Sequence, residues 1–382
     1  MSTCPACQQG ASTDFYEALR VPTTSNLLMA SRDDALRWPR GDVRLALCDR
    51  CGFIWNRAFD PATQAPSATY EATQACSPTF GRFARSLAQA WIDRHRLHGK
   101  RIIEVGSGRE GEFLKLLCDL AGATGVGIDP IADPAAGNKR VRFIAEPLSP
   151  RHLQPPPDFL VCRHTLEHVA EVSAFLRLTA GTLARHGQTV VAIEVPDTLR
   201  VLRENAFWDV YYEHCSYFTP GSLARALHAA GFELMRHELM YDGQYLVAEC
   251  RAGPHTSLTL AAVDTPRDVQ EATARFAARV AEELSRWRAT LADGRSTVLW
   301  GAGSKAVGFL TTLGDAAHVN AVVDINPGKQ GTFLPGGGQE IVAPERLREL
   351  RPERVIVMNA IYLPEIKAQL ESMGLRPELL TL

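Results

Sequence analysis

The sequence predicts an α/β protein in three parts: a small metal-binding module at the N-terminus, then two doubly wound α/β units in series. Three observations carry this expectation. Two Cys-x-x-Cys pairs, Cys4/Cys7 and Cys48/Cys51, stand before residue 58. From Lys100 onward, strand-like apolar runs alternate with helix-periodic segments. A strand followed by a glycine loop and a helix start occurs twice, as IIEVGSGREGEFL and as VLWGAGSKAVGF.

The cysteine pairs come first. In a reducing compartment two Cys-x-x-Cys turns read as four thiolates, Cys4, Cys7, Cys48 and Cys51, around one Zn²⁺. Each turn aims two sulfurs at one point, and a closed four-sulfur shell makes the zinc structural, not catalytic. The long segment between the pairs must loop out as an insertion. The expected module spans residues 1–58. A Pro/Ala/Thr/Ser-rich connector and a helix bearing Phe80, Phe83, Leu87 and Trp91 fill 59–98.

KRIIEVG, GATGVGIDP, VRFIAE, DFLVCRHTLEHV and QTVVAIEVPD read as strands, with helices between them. ELMRHELMYDG and QYLVAECRAG read as a strand pair joined at Asp242-Gly243. That unit is expected over 99–255 and the second over 256–382. A long amphipathic helix at 264–292 begins the second, with Phe276, Val280, Leu284 and Trp287 on one face. Doubly wound sheets bind ligands at the carboxyl ends of their strands.

Composition narrows the function classes. The 382 residues are 46% apolar and 22% charged with a formal net charge of −2, which gives no footprint for nucleic acid or anionic membranes. No apolar run approaches the roughly 20 residues that span a bilayer. MSTCPACQQG lacks the basic and apolar regions of a signal peptide, so the expected location is cytoplasmic. The expected partner is a small molecule, as a monomer or a dimer.

Two cofactors suit the first glycine loop. Gly106, Gly108 and Gly111 form the G-x-G-x-x-G of a dinucleotide site, and Asp129 closes the next strand to meet ribose hydroxyls. A class I S-adenosylmethionine (SAM) methyltransferase has the same strand, loop and acidic residue, and opens the loop with an acidic group, here Glu104. The flanks choose SAM. RHTLEHV, with His164 on the cofactor side, resembles the segment beneath SAM in such enzymes. GSLARALHAAGFEL and the final strand pair are also methyltransferase features. In the second loop, Ser304 and Lys305 at a helix start are candidates for holding substrate phosphates.

DVYYEHCSYFT, residues 209–219, is the stretch with the densest chemistry. A neutral imidazole accepts a proton at cellular pH, and a tyrosine O–H donates to the oxyanion formed beside a ketone. On an extended strand adjacent side chains point to opposite faces, so Glu213 and His214 would diverge there.

In order along the chain, the cysteine module, the SAM unit, E-V-P…Y-Y-E-H-C-S-Y-F-T and GAGSKA…DINPGKQGTFLPG…NAIYLPEI closely resemble the sugar C-methyltransferases of deoxysugar and antibiotic biosynthesis. The resemblance spans nearly the whole chain. It implies an α/β fold with a zinc-binding module, a central class I methyltransferase domain and a C-terminal Rossmann-like domain that binds substrate. It implies deprotonation of a nucleotide-linked 4-ketosugar and attack of the enolate on the SAM methyl group. The family's base falls on His214, its enolate-side tyrosine on Tyr211 and its glutamate on Glu213. Tyr70 stands where the family offers a tyrosine from the connector. Tyr212 replaces the family's first histidine, and Tyr241-Asp242-Gly243-Gln244 replaces a His-Gly-Gly-Ser run. Tyr212 and Gln244 are thereby substrate-side candidates. The rivals are SAM-dependent transfer to oxygen or nitrogen, an NAD-dependent oxidoreductase, and a non-catalytic assembly protein.

Overall fold

The structure is a computed structural model and describes residues 3–64, 67, 69–185, 187–253, 263–314 and 318–382. The expected junction between the two α/β units, at residues 255 and 256, lies outside the described residues.

The chain opens on a hairpin, β1 (Ser12–Pro22) and β2 (Arg40–Cys48), with the short helix α1 (Arg32–Arg37) between its arms. β3 (Ile54–Asn56) follows the second cysteine pair. The insertion between the pairs is therefore a β-hairpin hung from the cysteine cluster. α2 (Pro78–His95) starts on Ser77, whose hydroxyl accepts from the Phe80 N–H, with Pro78 at the first helical position.

The central unit contains β4 (Arg101–Val105), α3 (Glu112–Ala121), β5 (Thr124–Ile128), β6 (Val141–Ile144), β7 (Phe159–Arg163), α4 (Val172–Leu183), β8 (Val190–Pro196) and α5 (Thr198–Glu204). β9 (Ser216–Tyr217), α6 (Pro220–Ala230), β10 (Phe232–Met240) and β11 (Tyr245–Ala252) complete it. Seven strands lie in the order β10-β11-β8-β7-β4-β5-β6. All pair in parallel except β11, which is antiparallel to both neighbours.

β9 does not join that sheet. It pairs with β3, Trp55 opposite Ser216, and so becomes the fourth strand of the N-terminal sheet β1-β2-β3-β9.

The C-terminal unit begins with α7 (Pro266–Leu291), capped by Thr265 and Asp268. β12 (Thr297–Trp300), α8 (Ser304–Leu313), β13 (Ala321–Val323), β14 (Ile341–Val342), α9 (Leu347–Leu350), β15 (Arg354–Val357), α10 (Leu363–Ser372) and β16 (Glu378–Thr381) follow. Their five strands form a parallel sheet in the order β14-β13-β12-β15-β16. Phe276, Val280 and Trp287 of α7 are buried as the helical period requires.

The three parts share their cores. Phe53 and Trp55 belong to the same apolar cluster as Ile103, Ile128 and Val195 of the central sheet. Val43 and Leu45 of the hairpin cluster with Phe276 of α7 and with Leu299 and Phe309 of the C-terminal unit. Among the described residues no helix is long and apolar enough to cross a membrane.

Candidate active site

The four cysteine sulfurs lie within 4.8 Å of one another. Cys4 Sγ is 3.7 Å from Cys51 Sγ, and Cys7 Sγ is 3.7 Å from Cys48 Sγ. Tetrahedral Zn–S bonds of about 2.3 Å place sulfurs about 3.7–3.8 Å apart. The donor set and its spacing therefore fit a zinc ion. The cluster is far in sequence from the glycine loops, and β3 and β9 connect it to the residues of the next paragraphs.

The first glycine loop leaves β4 at the carboxyl edge of the central sheet. Gly106 has φ +74°, and a Cβ there would lie 1.8 Å from Thr165 Oγ1, so only glycine lets this loop meet the one after β7. Asp129 accepts from the Gly108 N–H at 3.0 Å and from the Ile131 N–H at 2.9 Å, one bond on each oxygen. Each oxygen keeps acceptor capacity. Glu104 is 4% exposed, and its Oε2 has no hydrogen-bond partner. Burial pushes its carboxyl up to about 7 against the pull of Arg163. A buried acidic atom without a partner, under a glycine loop with open space above Gly108, fits the cationic end of SAM.

The loop after β7 brings a denser set of charges. Arg163 forms two bonds to Glu194, at 2.7 and 3.0 Å, with both side chains buried. His164 stands with φ +47°, a left-handed conformation that costs a non-glycine residue energy. Its Nε2 is 2.9 Å from Glu194 and its Nδ1 3.5 Å from Glu167. Burial alone would lower its pKa, but Glu194 and Glu167 raise it to about 9. Its ring sits 4.5 Å from that of Tyr245.

The stretch 209–217 departs from expectation. Only Ser216–Tyr217 is a strand, and residues 211–214 make a turn closed by His214 N–H to Tyr211 C=O at 3.2 Å. The turn packs the rings of Tyr211 and His214 together on one side, 4.2 Å apart and tilted by 46°. It sends Tyr212 the other way, into the N-terminal sheet, where its hydroxyl accepts from the Asp60 N–H and its ring covers Gly41. Tyr212 is therefore a core side chain and not a substrate contact. Glu213 also turns away from His214: its carboxylate accepts from the N–H and the hydroxyl of Ser25, at 2.8 and 2.5 Å. The carboxylate does not orient the adjacent imidazole. The reason is tertiary: an apolar pocket takes Tyr212, and the turn follows it.

His214 is buried, and the same burial, aided by His168 and His164, holds its pKa well below the ordinary value. It is a neutral base at cellular pH. Tyr70 belongs to this neighbourhood: it bridges to Leu27, and the charges of Glu213, Glu167 and Asp129 raise its pKa further above what burial sets.

The C-terminal unit closes the site from the far side. Ser304 Oγ accepts from Asn26 Nδ2 at 2.8 Å. Lys305 is not the free point charge expected for phosphate, because its Nζ donates to Asp209 at 3.1 Å and to Gln244 at 3.4 Å. Gln244 and Asn359 exchange two bonds, 3.1 and 2.8 Å, across the two units. In the second glycine loop the Ala302 N–H is already donated to Asp324, and Lys329 Nζ donates to the Ala302 carbonyl. The connector is held between the units by Gln74, which meets Tyr362 at 2.9 Å and Tyr245 at 3.4 Å.

Residues that went unassigned from sequence are Arg163, Glu167, His168, Glu194, Ser25 and Asn359. Three ionisable side chains within His164–His168, at the end of a strand, were the available signal.

Sequence comparison accords with this architecture. Residues 80–237 match the methyltransferase domain model, and residues 256–376 match the C-methyltransferase C-terminal domain model. The C-methyltransferase NovU of Streptomyces niveus is 26% identical over 95% of this chain and 90% of its own length. Among solved structures, the N,N-8-amino-8-demethyl-D-riboflavin dimethyltransferase RosA of Streptomyces davawensis is similar at a TM-score of 0.37 and 21% identity. That alignment covers 45% of this chain and 55% of RosA. The magnesium protoporphyrin IX methyltransferase ChlM of Synechocystis, crystallised with S-adenosylhomocysteine, is similar at a TM-score of 0.35 and 16% identity, over 45% of this chain and 83% of ChlM.

The protein is a SAM-dependent methyltransferase of the class I fold. A C-methyltransferase C-terminal domain follows the catalytic one, and along nearly its whole length the chain is similar to a C-methyltransferase.

Proposed function

We propose that the protein methylates a carbon beside a ketone on a small, nucleotide-linked ketosugar, with His214 as the general base. The observation that carries this reading is His214 itself, a buried, neutral imidazole packed against the Tyr211 ring. A carbon acid needs a base, whereas an amine acceptor needs chiefly positioning. Bound SAM supplies an electrophilic methyl group on a sulfonium. Glu104, Asp129 and the Gly106–Gly111 loop hold it by its cationic and ribose ends. His214 takes the proton, and the C–H electron pair moves into an enolate whose oxygen accepts a bond from Tyr211. With SAM bound, the enolate carbon would take its methyl group, and the C–S electron pair would stay on sulfur. Tyr70, Gln244 and Ser304 face the acceptor. The four cysteines hold a structural Zn²⁺, which their spacing supports.

The test is mass spectrometry of the protein incubated with SAM and a panel of nucleotide-linked 4-ketosugars, with His214→Gln in parallel. A gain of one methylene on carbon, lost in the variant, is expected. Product formed at oxygen or nitrogen, or retained in His214→Gln, overturns the reading.

A further inference from the structure

His214 draws no carboxylate from its neighbour in sequence. Glu213 is 3% exposed and occupied by Ser25, on the opposite side of the turn. A second carboxylate reaches the imidazole from another element. Glu167, in the loop after β7, is 2% exposed, and neither of its oxygens accepts a hydrogen bond. One of them lies within 4.8 Å of ring nitrogens of both His168 and His214. Such a gap is closed directly by a small rotation or through one water.

The surroundings say what that carboxylate does. Around His214 stand Tyr211 and Glu213 from its own turn, Tyr217 of β9 at 6.3 Å between ring centroids, and His164, Glu167 and His168 from the loop after β7. His168 Nδ1 lies 3.0 Å from the Glu213 carbonyl oxygen, which only accepts, so that nitrogen carries the proton. The Nε2 of a neutral His168 is then an acceptor, but it carries no negative charge with which to hold the imidazolium that forms on His214. Both neighbouring histidines disfavour a proton on His214. A carboxylate is the one group in this shell that would favour the imidazolium formed during proton abstraction. An isolated buried carboxylate is costly, and among the described residues Glu167 has His164 Nδ1 at 3.5 Å as its ion-pair neighbour.

We propose that Glu167 is the positioning carboxylate of His214, accepting one ring N–H so that the other nitrogen faces the acceptor. The inference rests on the base reading above and adds the partner of that base. It also links the two halves of the site, since the loop carrying Glu167 is the one that meets Gly106 through Thr165.

The experiment needs no acceptor. The histidine ring nitrogens of the ¹⁵N-labelled full-length protein are followed by NMR, with His214 assigned from the His214→Gln spectrum. Glu167→Gln and Glu213→Gln are compared at equal zinc content and equal far-UV circular dichroism. One dominant His214 tautomer is expected in the parent, a mixture in Glu167→Gln, and no change in Glu213→Gln. Should Glu167→Gln fail to fold, Glu167→Asp is expected to weaken the same tautomer preference. An unchanged tautomer in Glu167→Gln, a tautomer governed by Glu213, or a second metal equivalent bound by this cluster overturns the proposal. The product assay with His214→Gln reads the base assignment separately.

Discussion

At the scale of single residues, one pair separates chemistry from packing. Tyr211 and Tyr212 are adjacent, yet one packs against the His214 ring and the other fills the N-terminal core. Tyr211→Phe is expected to lower kcat on the order of 10²-fold, the usual loss for one oxyanion donor. Tyr212→Phe is expected to leave kcat unchanged and cost about 1 kcal/mol of stability through the lost bond to Asp60. Steady-state kinetics and thermal melts of both variants check this. Glu104 supplies a prediction with a sign. Its carboxyl sits at about 7, above its unfolded value of 4.5, so the native state binds the extra proton. Stability without cofactor is therefore lost as pH rises from 4.5 to about 7, on the order of 3 kcal/mol in full. Glu104→Gln is expected to raise the melting temperature of the SAM-free protein at pH 8, with the gain vanishing near pH 4.5. The same change is expected to weaken SAM binding at least about 10-fold by calorimetry, as one charge-assisted bond is lost.

Elements differ in how far the sequence revealed them. The strands from Lys100 onward are apolar runs bounded by glycine, and their pattern suffices because a sheet covered on both faces has few other solutions. The helix α2 was legible from Phe83, Leu87 and Trp91 with Pro78 at its start. The 211–214 turn was not, because its aromatic composition favours a strand and what overrides it is non-local. Tyr212 enters a pocket floored by Gly41, and α8 approaches so closely that a Cβ on Gly308 would lie 2.8 Å from the Trp208 carbonyl. For the same reason the partners of Glu213 and Lys305 could not be read, while His214 and Tyr211 could be named. α2 owes its start to another element: Glu365 of α10 accepts from the hydroxyl of Ser77 at 2.9 Å and from the N–H and hydroxyl of Thr79 at 3.2 and 2.6 Å. Glu365→Ala is expected to cost about 2 kcal/mol and to speed proteolysis within residues 69–77, read by denaturation and limited proteinase K digestion.

The whole molecule behaves as one body, since the cores of the hairpin, the central sheet and the C-terminal unit run together. In the function proposed above, the four-cysteine module serves the catalytic site by support and not by chemistry. Removing zinc with a chelator is expected to lower the melting temperature and to reduce methyl transfer while SAM binding, set by the Gly106–Gly111 loop, persists. Full activity in protein shown by elemental analysis to be zinc-free would contradict this.

The pairing of β3 with β9 also constrains how the chain is born. Trp55 leaves the ribosome about 160 residues before Ser216, roughly 8–30 s earlier at ordinary rates of synthesis. Through that interval the module's sheet has an open flank at β3, and an unpaired edge invites pairing with another chain. The catalytic turn is what finally covers it. The segment that carries His214, the base we propose, is thus also the one that covers the β3 edge.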